Sequence, residues 1–264
     1  ANLIDRALDQ PGGAAEISLV AHSRGGLLGR HYLEAGRFTT RPGFPAVRRL
    51  ITLGTPHRGS PLALTAAMGM EKRLFLNRDQ VLALASDPRY PSLYQLLPPR
   101  GEPFAWDFDS GAEYAGVNIF DDAVAADLGL VPANLQAAQR FHASLDPARR
   151  PPHVRYFFFV GTRQVTPSAS ALQHRGTRYT VRNIEPEDAG DGTVPVWSAG
   201  LTGIQGRPVG GEHGTIYQND DLRRTLAGLL GKAGVLAAVP GGVEVAVRDP
   251  VVEPGQLVHV ALTF

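Results

Sequence analysis

The stretch that decides the fold is VAHSRGGLLGR, Val20 to Arg30, in which one serine stands between an apolar run and a helical pattern. The residues from Ile17 to Ala21 are typical of a buried strand, and those from Leu27 to Glu34 have helical character. Between them, alanine and glycines flank the serine. Ser23 is therefore predicted to lie on a sharp turn from strand to helix.

Such a turn predicts a nucleophile. Ala21 and Gly25 stand two residues before and two after Ser23, where a larger side chain is expected to collide across the corner. The turn strains the serine backbone and presents its hydroxyl clear of the sheet. The backbone N–H of Arg24, at the start of the helix, is predicted to stabilise an oxyanion. The alternative is a serine that only caps the helix.

A serine nucleophile needs a base to accept its proton. His213 is the first candidate, because it lies in a glycine-rich loop, Gly210 to Gly214, shortly before the last predicted helix. His57, directly after the next strand, is the rival and is expected beside the mouth of the pocket. His22, adjacent to the serine, is expected to pack under the turn.

The base in turn needs a carboxylate to hold its tautomer. Asp191 fits this role, because it lies before His213 in a turn, Gly190 to Thr193, whose glycines allow a carboxylate to face inward. Asp188, in the same acidic loop, is the alternative.

Three apolar strands are predicted in the order that a parallel sheet requires. They are Ile17 to Ala21, Arg49 to Leu53 and the aromatic run Val154 to Val160, and a helix separates the first two. The residues from Ser60 to Arg150 carry helical patterns broken by prolines, which indicates an inserted helical cap. The sequence after about residue 235 alternates with period two and predicts a β-hairpin or the start of a further β domain.

The composition is that of an ordinary globular protein. The chain has 264 residues, 43% of them hydrophobic and 19% charged, with a net charge of +1. The arginines are scattered, which argues against a nucleic-acid partner. The absence of cysteine excludes disulfides and thiolate metal sites and leaves the compartment open. No apolar run approaches the roughly 18 residues of a membrane span, and the start, ANLIDRALDQ, lacks the pattern of a signal peptide.

Four segments, taken together, resemble the lecithin:cholesterol acyltransferase-like α/β hydrolases, a broad lipase-related group. They are AHSRGG at Ala21 to Gly26, LGTPHRGSPLA at Leu53 to Ala63, PSLYQLLPP at Pro91 to Pro99, and GDGTVPVWSA at Gly190 to Ala199 with EHG at Glu212 to Gly214. The resemblance implies an α/β-hydrolase fold over residues 1–232, with a mostly parallel sheet flanked by helices and a cap at about 60–150. A short β-rich segment at 235–264 follows.

The resemblance also implies roles. Ser23 is expected as the nucleophile, His213 as the base and Asp191 as the acid, with no metal or cofactor. The cap is expected to bind the acyl chain through five leucines, with the ordinary core of the cap as the alternative role: Leu62, Leu64, Leu93, Leu96 and Leu97. The expected activity is hydrolysis of carboxylic esters through an acyl-enzyme, of the lipase or phospholipase kind. A lipid acyltransferase with the same residues and a non-catalytic binding module are the alternatives.

One feature of that family is missing from the sequence. Its second oxyanion N–H comes from a His-Gly loop after an earlier strand, and the strand at Ile17 leaves no room for one. The chain also begins with Ala rather than Met. We therefore expect that an upstream segment of the same protein completes the sheet, and prefer this to a circular permutation.

Overall fold

The computed structural model describes residues 1–9, 15–71, 77–109, 115–176, 178–231, 244–247 and 260–263. The helices of these residues are α1 (Asn2–Leu8), α2 (Arg24–Glu34), α3 (Leu62–Ala67), α4 (Arg78–Ser86), α5 (Asp122–Asp127), α6 (Pro132–Ala143), α7 (Val196–Ala199) and α8 (Asp220–Leu229). The strands are β1 (Ile17–His22), β2 (Val47–Leu53), β3 (Ala105–Asp107), β4 (Ala115–Gly116), β5 (Arg155–Thr162), β6 (Ala169–Arg175), β7 (Arg178–Ile184), β8 (Gly206–Gly210), β9 (Glu244–Val247) and β10 (Val260–Thr263).

The first sheet is parallel and carries the candidate site. Its strand order is β1-β2-β5-β8, and each neighbouring pair runs parallel. Leu50 of β2 pairs with Leu19 on one side and Tyr156 on the other. Because the strands are parallel, their carboxyl ends lie at one edge, where ligand sites of open α/β sheets are found. The three predicted strands are confirmed as β1, β2 and β5.

Helix α2 packs on this sheet through its apolar face. Leu27 and Leu33 are buried, as is Leu50 beneath them, and the missing side chain of Gly29 lets the helix approach closely. A Cβ at Gly29 would lie 2.7 Å from Cδ1 of Leu50. The close packing fixes α2, and therefore the turn before it, relative to the sheet.

The cap contains a second sheet beside its helices. Its order is β4-β3-β6-β7, with β3 parallel to β6 and the other pairs antiparallel. Strands β6 and β7 come from beyond residue 150, so the cap is built from two separate parts of the chain. Its helices and sheet share one buried cluster, here called the cap core, that includes Leu64, Tyr94, Leu97, Phe104, Leu135 and Leu172.

The chain divides into two compact units, Ala1–Leu222 and Arg223–Phe264. In the second unit, β9 and β10 form an antiparallel pair, as the predicted hairpin requires. In the described part of the chain, no helix has both the length and the apolar character needed to cross a membrane.

Candidate active site

Ser23 lies directly after β1, on the turn that leads into α2. Its φ of 55° and ψ of −132° are strained for a residue with a side chain. The Ser23 N–H donates to the carbonyl of Leu53 at 2.9 Å, and the Thr55 hydroxyl donates to the carbonyl of Ser23 at 2.8 Å. Leu53, at the end of β2, and Thr55, just after it, therefore hold the backbone N–H and the carbonyl of the strained serine.

The tightest packing at the turn is at Gly26. A Cβ at Gly26 would lie 2.2 Å from Oγ1 of Thr55, whereas one at Gly25 would lie 3.5 Å from Cβ of Ala21, an ordinary contact. The crowded glycine is therefore Gly26, and not Gly25 as expected. Gly26 is required because the first turn of α2 packs directly on Thr55, in the loop after β2.

The structure brings Ser23, His213 and Asp191 together. Oγ of Ser23 lies 2.8 Å from Nε2 of His213, and Nδ1 of His213 lies 2.9 Å from Oδ2 of Asp191. A carboxylate can only accept, so Nδ1 carries the proton, and Nε2 is left as the acceptor for the serine hydroxyl. In this arrangement the imidazole can remove the hydroxyl proton as the oxygen attacks an electrophile.

Asp191 is buried and fixed by the backbone. It is 1% exposed, and its Oδ1 accepts hydrogen bonds from the N–H groups of Thr193 at 3.1 Å and Val194 at 2.7 Å. The backbone N–H of His213 donates to the Asp191 carbonyl at 2.7 Å. The Asp191 turn and the His213 loop are thus joined by a main-chain and a side-chain hydrogen bond.

Two glycines leave room for this carboxylate. A Cβ at Gly161, near the end of β5, would lie 2.4 Å from Cβ of Asp191. A Cβ at Gly54, directly after β2, would lie 2.7 Å from Oδ2 of Asp191, and the φ of Gly54 is +53°. Any side chain at either position would displace Asp191 from beneath His213.

His22 supports His213 from the nucleophile strand. Its Nε2–H donates to the backbone carbonyl of His213 at 2.8 Å, and the two rings lie 4.8 Å apart. Burial lowers the pKa of His22, which favours its neutral form. The histidine expected only to pack under the turn therefore ties β1 to the His213 loop.

Arg24 begins α2, as predicted, and places two groups at the site. Its backbone N–H belongs to the first turn of the helix, whose N–H groups have no acceptor within the helix. Its guanidinium donates to Oε1 of Gln95, in the 3₁₀ turn Tyr94–Leu96 of the cap, at 2.8 Å. Burial lowers the pKa of Arg24.

The rival candidates lie elsewhere. His57, expected at the mouth of the pocket, is instead buried: its ring stacks on Phe158 with centroids 3.9 Å apart, and its Nε2 lies 3.1 Å from the hydroxyl of Thr52. Burial, and then the charge of Arg30, hold the pKa of His57 well below its usual range. Asp188 is exposed, with a φ of 54°.

The five leucines expected to bind an acyl chain occupy two environments. Leu64 and Leu97 have no exposed surface and belong to the cap core. A side chain without exposed surface packs as core, so the burial of Leu64 and Leu97 favours the alternative role, the ordinary core of the cap. Leu93 and Leu96 are half-buried against the same cluster, and Leu62 is 9% exposed.

Sequence reasoning missed Gly54, Gly161, Thr55 and Gln95, and gave His22 too small a role. Gly54 and Thr55 stand in the quoted LGTPHRGSPLA segment, so the signal for them was present. Gly161 and Gln95 have no local signal, because their importance comes from residues far away in the chain.

No family model and no curated protein matches the sequence. Among solved structures, the fold is similar to a chain in the crystal structure of the Tle4-Tli4 complex, with a TM-score of 0.56 and 14% sequence identity. That match covers 83% of this chain and 59% of the other. The chain has an α/β-hydrolase-like fold, with a parallel main sheet flanked by helices. The product of the gene lin2722 from Listeria innocua is more distant, with a TM-score of 0.39, 13% identity and coverage of 88% and 64%. This chain thus spans less than two thirds of either structure's chain.

Proposed function

We propose that the protein is a serine hydrolase that cleaves carboxylic esters, of the lipase or phospholipase kind, through an acyl-enzyme on Ser23. The observation that carries the proposal is the hydrogen-bonded series from Oγ of Ser23 through the His213 ring to the buried Asp191, at 2.8 and 2.9 Å. The α/β-hydrolase fold and the strained backbone of Ser23 support it.

In the first half of the reaction, Oγ of Ser23 attacks the ester carbonyl carbon as its proton passes to Nε2 of His213. The carbonyl π electrons move to the oxygen, which becomes an oxyanion and accepts a hydrogen bond from the N–H of Arg24. Collapse of this intermediate breaks the ester C–O bond. The leaving alcohol takes the proton from Nε2 and departs, and the acyl group stays on Ser23.

In the second half, water repeats the sequence. Nε2 of His213 removes a proton from the water as its oxygen attacks the acyl carbon, and collapse breaks the bond to Oγ. Ser23 takes the proton back, and the carboxylic acid leaves. Asp191 keeps its negative charge throughout and stabilises the imidazolium that forms in each half.

The substrate is proposed to enter between the turn and the cap. Leu62, Leu93 and Leu96 retain exposed surface and are proposed to contact its apolar part. These leucines are proposed to recognise the acyl chain by its size and apolar character.

A further proposal concerns the free side of β1. In the described sheet β1 is an edge strand, and Val20 on it is 48% exposed. An apolar strand with an unpaired edge favours pairing with another segment. We expect a segment of the same protein to pair here and to bring a second oxyanion donor.

The test is pre-steady-state hydrolysis of 4-nitrophenyl butyrate by the purified chain. An acyl-enzyme predicts a rapid release of about one equivalent of 4-nitrophenolate per protein, followed by a slower steady rate. Replacing Ser23 by Ala should remove both phases. The matched control is Ser18→Ala, on the strand that precedes Ser23, which should keep both.

Two results would contradict the proposal. One is the absence of any hydrolysis by a chain whose circular dichroism shows it to be folded. The other is a Ser23→Ala protein that hydrolyses the ester at the unmodified rate.

A further inference from the structure

The guanidinium of Arg24 is fixed where the cap meets the turn. Its Nη2–H donates to Oε1 of Gln95 at 2.8 Å. The backbone of Gln95 is held in turn by His142 of α6, whose Nε2–H donates to the Gln95 carbonyl at 3.1 Å. The residue after Ser23 therefore carries a cationic group whose position is fixed by the cap.

This charge has no carboxylate partner in the described residues. Arg24 is half-buried, and its Nε–H is buried without a hydrogen-bond partner there. Burial of a cation without a counter-charge is unfavourable. The other buried or half-buried arginines of the described ranges are all paired: Arg30 with Glu34, Arg41 with Asp5, Arg48 and Arg49 with Glu16, and Arg58 with Glu102.

From this contrast we infer that Arg24, together with the amide of Gln95, binds a negatively charged group carried by the ester substrate. The inference rests on the proposed function and names its substrate class: carboxylic esters that bear an anion, a carboxylate or a phosphate, on the acyl or the alcohol part. The anion supplies the counter-charge that the chain supplies to the five other arginines.

The chemistry of the two side chains fits this ligand. A guanidinium presents planar N–H donors that match the oxygens of a carboxylate or phosphate, and it stays protonated at neutral pH. Gln95 accepts from Arg24 with its oxygen, so its NH₂ group supplies further donors. A neutral ester leaves these donors without an acceptor when it displaces water.

The test is equilibrium binding of matched esters to the Ser23→Ala protein, by titration calorimetry. The acyl-side pair is 4-nitrophenyl hemiglutarate and 4-nitrophenyl valerate, which differ by a carboxylate. The alcohol-side pair is 4-butyryloxybenzoate and 4-butyryloxybenzamide. In at least one pair the anionic ester should bind about 10-fold more tightly or better, the size of a charge-assisted hydrogen bond. The pair that shows it locates the anion.

Two further substitutions in the same background test the residues. Arg24→Gln should remove the advantage of the anionic ester, and Arg24→Lys should keep part of it. Gln95→Glu supplies the missing carboxylate in place and should also remove the advantage. Equal binding of both members of both pairs, or an advantage that survives Arg24→Gln, would overturn the inference.

Failure of this inference is distinct from failure of the proposed function. The binding ratios are measured on protein without Ser23 and do not depend on turnover. Hydrolysis of the neutral ester 4-nitrophenyl butyrate tests the proposed function and does not need an anion.

Discussion

At the scale of single residues, the site depends on contacts between positions far apart in the chain. Ser23 and Asp191 could be predicted because local turns made of small residues identify them. The glycines that accommodate Asp191, at positions 54 and 161, could not be assigned this role, because the crowding arises only when the ends of β2 and β5 meet the Asp191 turn. The role of His22 could not be predicted for the same reason, since its hydrogen-bond partner is the distant carbonyl of His213.

The two acidic candidates can be separated by matched substitutions. In Asp191→Asn the amide can keep Oδ1 as acceptor for Thr193 and Val194, but its NH₂ then faces Nδ1 of His213. The imidazole is forced into the other tautomer, and Nε2 can no longer accept the serine proton. We expect ester hydrolysis to slow by about 10⁴-fold with folding retained.

Asp188→Asn is the control, because Asp188 is exposed. Its hydrolysis rate should stay close to that of the unmodified protein. If the two effects are exchanged, the acid is Asp188 and the assignment of Asp191 is wrong. The measurement is kcat with 4-nitrophenyl butyrate.

At the scale of elements, the strands found from sequence are those with apolar runs. Strand β8, Gly206–Gly210, has no such run, because GRPVG has little strand propensity and contains proline. Its position comes from pairing with β5, at a sheet edge where proline is tolerated. Strands β3 and β4 of the cap sheet were missed because they are three and two residues long, and because β4 pairs only with β3 and β3 pairs in turn with β6.

The end of β5 provides an element-scale prediction. Gly161→Ala places a Cβ 2.4 Å from Cβ of Asp191 and must shift the acid loop or the strand. We expect a loss of stability of roughly 1–3 kcal/mol, as for other overpacked sites, and a fall in kcat larger than any change in KM. Urea unfolding and steady-state kinetics measure the two effects.

Gly200→Ala is the matched control, because a Cβ there meets nothing within 4 Å and the φ of Gly200 is negative. It should change stability and kcat little. Equal effects of the two substitutions would show that the close approach at Gly161 is unimportant.

At the scale of the whole molecule, the first unit holds four histidines, buried or half-buried, whose charged form is disfavoured by burial. Burial lowers the pKa of His22, His31 and His142, and it holds that of His57 well below 6.5. Below pH 6.5 the unfolded chain therefore binds more protons than the folded one. Stability is complete above that pH and decreases as pH falls toward the folded-state values.

His57 is the clearest contributor to this pH dependence, since it is 6% exposed. While it stays neutral in the folded state, it contributes a slope of about 1.4 kcal/mol per pH unit below pH 6.5. Urea unfolding between pH 6.5 and 5 should therefore show a smaller slope in His57→Phe than in the unmodified protein. An exposed-site control, His153→Asn, should keep the slope, and an equal slope in all three proteins would refute the role of His57.

The central claim is that His213 activates Ser23 as a nucleophile, and covalent labelling tests it most directly. The folded chain is treated with a fluorophosphonate, and the modified peptide is identified by mass spectrometry. The account predicts a single adduct, on Ser23, that is absent after unfolding in urea and strongly reduced in His213→Gln. An adduct on another serine with Ser23 unmodified, or no adduct on the folded chain, would contradict it.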